Sequence, residues 1–236
     1  MDWRITVTGA EHVPASGPAI VACNHVSYLD PFALGIAVWE QRRRRMRYLA
    51  KRELFTGRVR GRLLRRLGQI PVDRGGDAGD AMGRAQGALR RGELVGLFPE
   101  GTISTSFVPT AVKTGAARLA LLSGAPLIPA AVWGGQRVAT KGRPREARRG
   151  VPLVVRFGSP IGYQRDDEVE DLTQRLGVAL RDLVDAAALT YPEQPAGDDD
   201  RWWLPRHLGG TAPTVADDLA ERDREAAQRR ARRASG

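Results

Sequence analysis

Six short apolar runs, each closed by turn residues, set the strongest constraint on how this chain folds. They occupy 19–23, 48–50, 69–72, 94–98, 127–132 and 153–157. Runs of this length and composition read as buried strands. Between them, 31–39, 53–67, 80–91 and 112–123 carry helical spacing. Strands alternating with helices predict an α/β fold: a layered single domain with a largely parallel or mixed sheet flanked by helices. Val169, Leu172, Leu176, Leu180 and Leu183 then recur at three- and four-residue intervals. They predict an amphipathic helix over about 166–189 that closes the domain.

The domain is expected to span 1–191. Residues 192–236 read as a charged C-terminal extension, partly disordered or loosely docked, with the acidic run Asp198-Asp199-Asp200 and a tail rich in charge and alanine. Within it, Trp202-Trp203-Leu204 either docks on the domain or sits at a membrane interface, where tryptophan is favoured. Docking is the preferred reading.

With 236 residues, the chain can bury a core without metal or disulfide staples. Cys23 is its only cysteine, and its three histidines are well separated, so neither a multi-Cys cluster nor a His-cluster metal site is expected. No cofactor is called for. Arginine supplies almost all of the basic charge, and the net charge of +10 predicts an anionic partner: nucleic acid, phosphorylated small molecules or anionic lipid. The start lacks a basic segment followed by an apolar stretch, so no secretory signal is expected. The longest apolar region, 119–133, is broken by Ser123-Gly124-Ala125-Pro126, so no transmembrane helix is expected either.

Three segments carry chemistry. Asn24-His25-Val26-Ser27-Tyr28-Leu29-Asp30-Pro31 joins the end of a strand to the start of a helix, where α/β sheets bind ligands. Its spacing lets the Asp30 carboxylate meet the His25 imidazole and fix its tautomer. Asp30 before Pro31 also suits a helix N-cap, and one carboxylate oxygen could cap while the other meets His25. Phe98-Pro99-Glu100-Gly101-Thr102-Ile103-Ser104 ends a strand in a turn with free amides, a carboxylate and two hydroxyls, which suits a phosphate or polyol. Gly68-Gln69-Ile70-Pro71-Val72-Asp73-Arg74 places Arg74 just past a strand, either as a bidentate phosphate grip or in a surface ion pair with Asp73. Cys23, two residues before His25, leaves open a rival Cys–His nucleophile. A further stretch, 41–66, holds twelve basic residues and only Glu53 as an acid. Within and just beyond it, Phe55, Val59, Leu63 and Leu67 form a stripe, which reads as a basic amphipathic helix at a membrane surface.

Taken together and in this order, these blocks resemble the glycerolipid acyltransferases typified by bacterial 1-acylglycerol-3-phosphate acyltransferases. The apolar segment 126–129 and Lys113-Thr114-Gly115-Ala116-Ala117 are similar to that family as well, and the likeness covers about residues 10–165. It implies acyl transfer from acyl-CoA or acyl carrier protein to a lysophospholipid acceptor, with no nucleic-acid partner. By that likeness His25 is the general base and Asp30 its orienting partner. Glu100, Gly101 and Thr102 fall in the acceptor-binding block, Arg74 contacts the acceptor phosphate, and Lys51 adds a cation nearby. Ile103 stands where the family has arginine, so the resemblance leaves the head group open: 1-acylglycerol-3-phosphate, glycerol 3-phosphate, or a glycosylated or amino lipid. The enzyme is expected peripherally, at the cytoplasmic face of the membrane. The reading outside this class is a non-catalytic basic module that binds anionic membrane or nucleic acid.

Overall fold

A computed structural model of the chain describes residues 4–51, 56–57, 61–62, 69–72, 78–145 and 149–234. Seven strands form one sheet: β1 (Ile5–Thr8), β2 (Ala19–Cys23), β3 (Met46–Lys51), β4 (Ile70–Val72), β5 (Leu94–Leu97), β6 (Leu127–Trp133) and β7 (Leu153–Phe157). Their spatial order is β1-β7-β6-β2-β5-β3-β4. Every neighbouring pair is parallel except β6 with β7. The sheet is therefore mixed but mostly parallel, with β1 and β7 running against the other five.

Central strands of such a sheet are covered on both faces and need side chains that tolerate burial on each. All five residues of β2 and all seven of β6 are buried. Alternation sorts them: Ile128, Ala130 and Val132 face one layer, while Leu127, Ala131 and Trp133 face the other. Helix α1 (Asp30–Arg42) covers the first face with Ala33, Leu34, Ala37 and Val38. Helices α2 (Ala78–Arg90), α3 (Gly115–Ser123) and α4 (Val169–Leu189) cover the second. In α4 the buried Leu172, Leu176, Leu180 and Val184 follow helical periodicity. Gly96 lets β5 pass close to its neighbour, since a Cβ there would stand 2.6 Å from the Met46 sulfur and from the Tyr48 ring.

The basic amphipathic helix expected around 53–67 lies largely outside the described residues. Beyond α4 the chain turns back onto the domain. Trp203 is buried against Tyr191, and the Arg137 guanidinium lies 4.6 Å over its ring while pairing with Glu193. Helix α5 (Val215–Ala234) follows. Its contacts are polar: the buried Asp218 accepts the amide and hydroxyl of Thr105 at 2.9 Å each, and Lys141 pairs with Glu225 at 2.8 Å.

Candidate active site

The motif blocks converge because β2, β5, β3 and β4 are parallel neighbours whose carboxyl ends lie at one edge of the sheet. His25 follows β2, and the Phe98–Ser104 block follows β5. Lys51 is the last residue of β3, level with Val72 of β4. The Lys51 side chain and Arg74, two positions past β4, lie outside what the structure describes.

His25 Nδ1 stands 3.0 Å from Asp30 Oδ2. The same oxygen accepts the Val26 amide at 2.7 Å and the Ser27 amide at 2.8 Å. An oxygen already accepting two N–H groups takes a third donor from the ring, which places the imidazole proton on Nδ1 and the free lone pair on Nε2. Asp30 is fully buried, and burial pushes its carboxyl above the usual range; His25 and the two amides pull the other way. The capping role expected for Asp30 is not realised. Asp30 is itself the first residue of α1, its side chain binds amides that precede the helix, and its second oxygen, Oδ1, is buried without a hydrogen-bond partner. A short loop from strand to helix turns the carboxylate back toward His25 rather than forward along α1.

The second block locks the backbone of His25 at both polar atoms. His25 N–H donates to Glu100 Oε1 at 2.9 Å, and the His25 carbonyl accepts the Ser104 amide at 2.8 Å. The imidazole stacks on Phe98 at a centroid distance of 4.4 Å, and Phe98 stacks on Tyr48. Held by this ring and by Asp30, the His25 side chain keeps 18% of its surface exposed. An oriented, partly open imidazole can take a proton from a bound hydroxyl.

Glu100, expected to touch the acceptor, has a side chain with no exposure. Its second oxygen, Oε2, receives Arg222 Nη2 at 3.0 Å. Burial pushes Glu100 up to about 7, against the pull of the His25 amide and the Arg222 guanidinium. Arg222 Nη2 also pairs with Asp218 at 2.7 Å, so one guanidinium from α5 bridges two buried carboxylates. Sequence spacing offers no signal for Arg222, which lies in a tail segment without an apolar stripe.

Gly101 and Thr102 follow at the half-buried mouth of the turn. Gly101 has φ 73°, and a Cβ there would stand 2.9 Å from Lys113 Nζ. A lysine ammonium thus lies over the block whose own cation is replaced by the buried Ile103. Lys113 belongs to a family-like block, but only the structure shows where its ammonium sits.

Asn24 anchors the start of the motif. It donates to the Val132 carbonyl at 3.1 Å and accepts the Val132 amide at 2.8 Å, adding a side-chain rung where β2 has ended. Asn24→Ala leaves both buried groups unpaired, at about 1–3 kcal/mol each. Denaturant unfolding should show a loss of that order, and an unchanged midpoint would remove the rung from any stabilising role.

Cys23 is buried in the core beside α1, and its thiol donates to Asn24 Oδ1 at 3.5 Å. Burial pushes its pKa well above the ordinary value, which disfavours the thiolate that a nucleophile requires. Among the described residues, no group of acidic, histidine or cysteine side chains could hold a metal ion, and no helix is long and apolar enough to cross a membrane.

Comparison with known proteins bears on the family of the chain. The acyltransferase family model matches residues 4–133, a span that includes both motif blocks. The 1-acyl-sn-glycerol-3-phosphate acyltransferase of Bacillus subtilis is 33% identical over 189 residues, covering 76% of this chain and 87% of the relative. The human 1-acyl-sn-glycerol-3-phosphate acyltransferase alpha is 36% identical over 129 residues, which is 53% of this chain and 44% of the human protein. The crystal structure of the 1-acyl-sn-glycerophosphate (LPA) acyltransferase PlsC from Thermotoga maritima shares the fold with a TM-score of 0.65 at 23% identity, over 81% of this chain and 75% of that one. With a family model matched over more than half its length and a bacterial relative aligned across most of both sequences, the chain belongs to the glycerolipid acyltransferase family.

Proposed function

We propose that this acyltransferase moves a fatty acyl group from a thioester, acyl-CoA or acyl carrier protein, to the sn-2 hydroxyl of 1-acylglycerol-3-phosphate, at the cytoplasmic face of the membrane. The observation that carries the proposal is the His25–Asp30 contact of 3.0 Å beneath a partly open imidazole. His25 Nε2 takes the hydroxyl proton as the oxygen attacks the thioester carbonyl, and the new C–O bond gives a tetrahedral oxyanion. Collapse breaks the C–S bond, the imidazolium returns its proton to the sulfur, and ester and thiol leave. Asp30 faces the transient imidazolium and stabilises it, as carboxylates do in triads. Thioesters are already activated, so no acyl-enzyme is required, and the buried Cys23 thiol stays outside the reaction.

The acceptor phosphate then needs a cation beside the Glu100-Gly101-Thr102 turn. Lys113 fills that need, and the family resemblance adds Lys51 and Arg74 as further cations for the acceptor. In the presence of acyl-CoA, lysophosphatidic acid should release thiol while an acceptor without phosphate should release far less. Lys113→Ala should raise KM for the phosphate-bearing acceptor roughly tenfold, the scale of one charge-assisted contact, with a smaller effect on kcat. A panel of glycerol 3-phosphate, glycosylated lipids and amino lipids, run with one labelled donor, tests the alternative that Ile103 marks a different head group. Equal thiol release with every acceptor sinks the phosphate-directed reading. A salt-sensitive complex with DNA and no thiol release would favour the non-catalytic basic module.

A further inference from the structure

Helix α1 is apolar on two sides. From Pro31 to Val38 it contains no charged or hydrogen-bonding side chain. One side, Ala33, Leu34, Ala37 and Val38, is buried against the sheet. A helix that is apolar all round is ordinarily enclosed, yet the outer side of α1 is open. Phe32, Ile36 and Trp39, spaced by four and three residues, and Tyr28 in the turn just before the helix are between 37% and 60% exposed. They hold half of the large exposed hydrophobic side chains among the described residues, in a single stripe.

Cations border both ends of this stripe. Arg145 stands 5.8 Å over the Tyr28 ring, and Arg43 and Arg45 follow the last turn of α1. All three are exposed, and no described carboxylate forms an ion pair with them. Glu40 is the only exposed acid on the helix. The stripe also begins at the site itself, because Tyr28 lies between His25 and Asp30, and Asp30 opens α1.

We infer that the outer face of α1 is the surface by which the enzyme lies on an anionic phospholipid bilayer. The inference rests on the membrane-associated reading given above and names the face that makes contact. Aromatic rings with a polar edge settle at the headgroup boundary, and flanking arginines are drawn to anionic lipid. Thirteen residues are too few to cross a bilayer, so α1 lies in the plane of the interface. A second copy of the chain fits the face less well, since a two-fold contact would bring the arginine rims of both copies together. With α1 seated on lipid, His25 opens where an acylated acceptor is already concentrated.

The test uses the full chain and sedimentation with vesicles of phosphatidylcholine and phosphatidylglycerol. The double variant Phe32→Ser/Trp39→Ser should bind the vesicles at least roughly tenfold more weakly than wild type, the scale of losing two large apolar side chains from the interface. It should keep wild-type turnover on a short-chain acceptor dissolved below its micelle concentration. Leu122→Ser/Leu189→Ser, which removes exposed leucines elsewhere, should bind vesicles as wild type does. Undiminished binding by the α1 variant, or equal loss in both, overturns the assignment of this face. Failure of the wild type to bind any vesicle overturns the membrane reading beneath it. Absence of turnover on the dissolved acceptor overturns acyl transfer instead, whatever the vesicles show.

Discussion

His25→Ala should lower acyl transfer by about 10²–10⁴-fold, the usual contribution of a positioned general base, while the protein remains folded. The side chain alone carries the base. The backbone of residue 25 is held independently by Glu100 and by the Ser104 amide, and alanine preserves both contacts. What is lost structurally is the stacking contact on Phe98, a partly exposed ring whose other neighbour is Tyr48, and the ring's hydrogen bond to Asp30 Oδ2, an oxygen that keeps the Val26 and Ser27 amides. Unfolding midpoints should therefore stay close to those of wild type, so that lost turnover reports chemistry. Asp30 offers no such clean test, because its carboxylate also accepts the Val26 and Ser27 amides and its removal would strand two buried donors. Thiol release from acyl-CoA in the presence of lysophosphatidic acid is the measurement. Near-normal release by His25→Ala would leave the site without its base and end the proposed mechanism.

The layered α/β fold was legible because the central strands are continuous apolar runs with turns at their ends, as β2 and β6 show. Strand β1 was not. Its four residues, Ile5-Thr6-Val7-Thr8, are at most half-buried at the sheet edge, and their partner β7 lies far along the chain. Nor does an apolar run reveal its direction, so the reversal of β7 against β6 emerged only from the pairing. In the site, the spacing of His25 and Asp30 allowed both a ring contact and a helix cap; distances showed the first and removed the second. The block that holds Glu100 is legible as a motif, but sequence does not report that its carboxylate turns inward onto the His25 amide and Arg222. Lys113 and Arg222 depend on tertiary approach alone. The helix carrying Arg222 docks through charges rather than an apolar stripe, so it leaves no periodicity to read.

Arg222→Ala should slow transfer roughly tenfold or more at neutral pH, with a loss that shrinks as the pH rises. The guanidinium is the cation that faces the buried Glu100 and Asp218 carboxylates, and removing one partner of such a cluster leaves uncompensated buried charge. Glu100 already sits at about 7 with Arg222 present. Without that opposing charge, burial drives its pKa higher, and each further unit lowers the ionised fraction about tenfold at any pH below it. Ionised Glu100 matters in two ways. It accepts the His25 amide in a charge-assisted bond, and its negative charge favours the imidazolium formed as the hydroxyl loses its proton. Activity that depends on the ionised form rises with pH through the Glu100 pKa, so the rising limb of the variant's profile must move toward alkaline pH. Arg222→Lys, which keeps the charge but not the bridging geometry, should recover part of both the rate and the profile. Activity lost by the same factor at every pH, without rescue by lysine, would mean that α5 merely braces the fold and that Arg222 has no hold on the His25 loop.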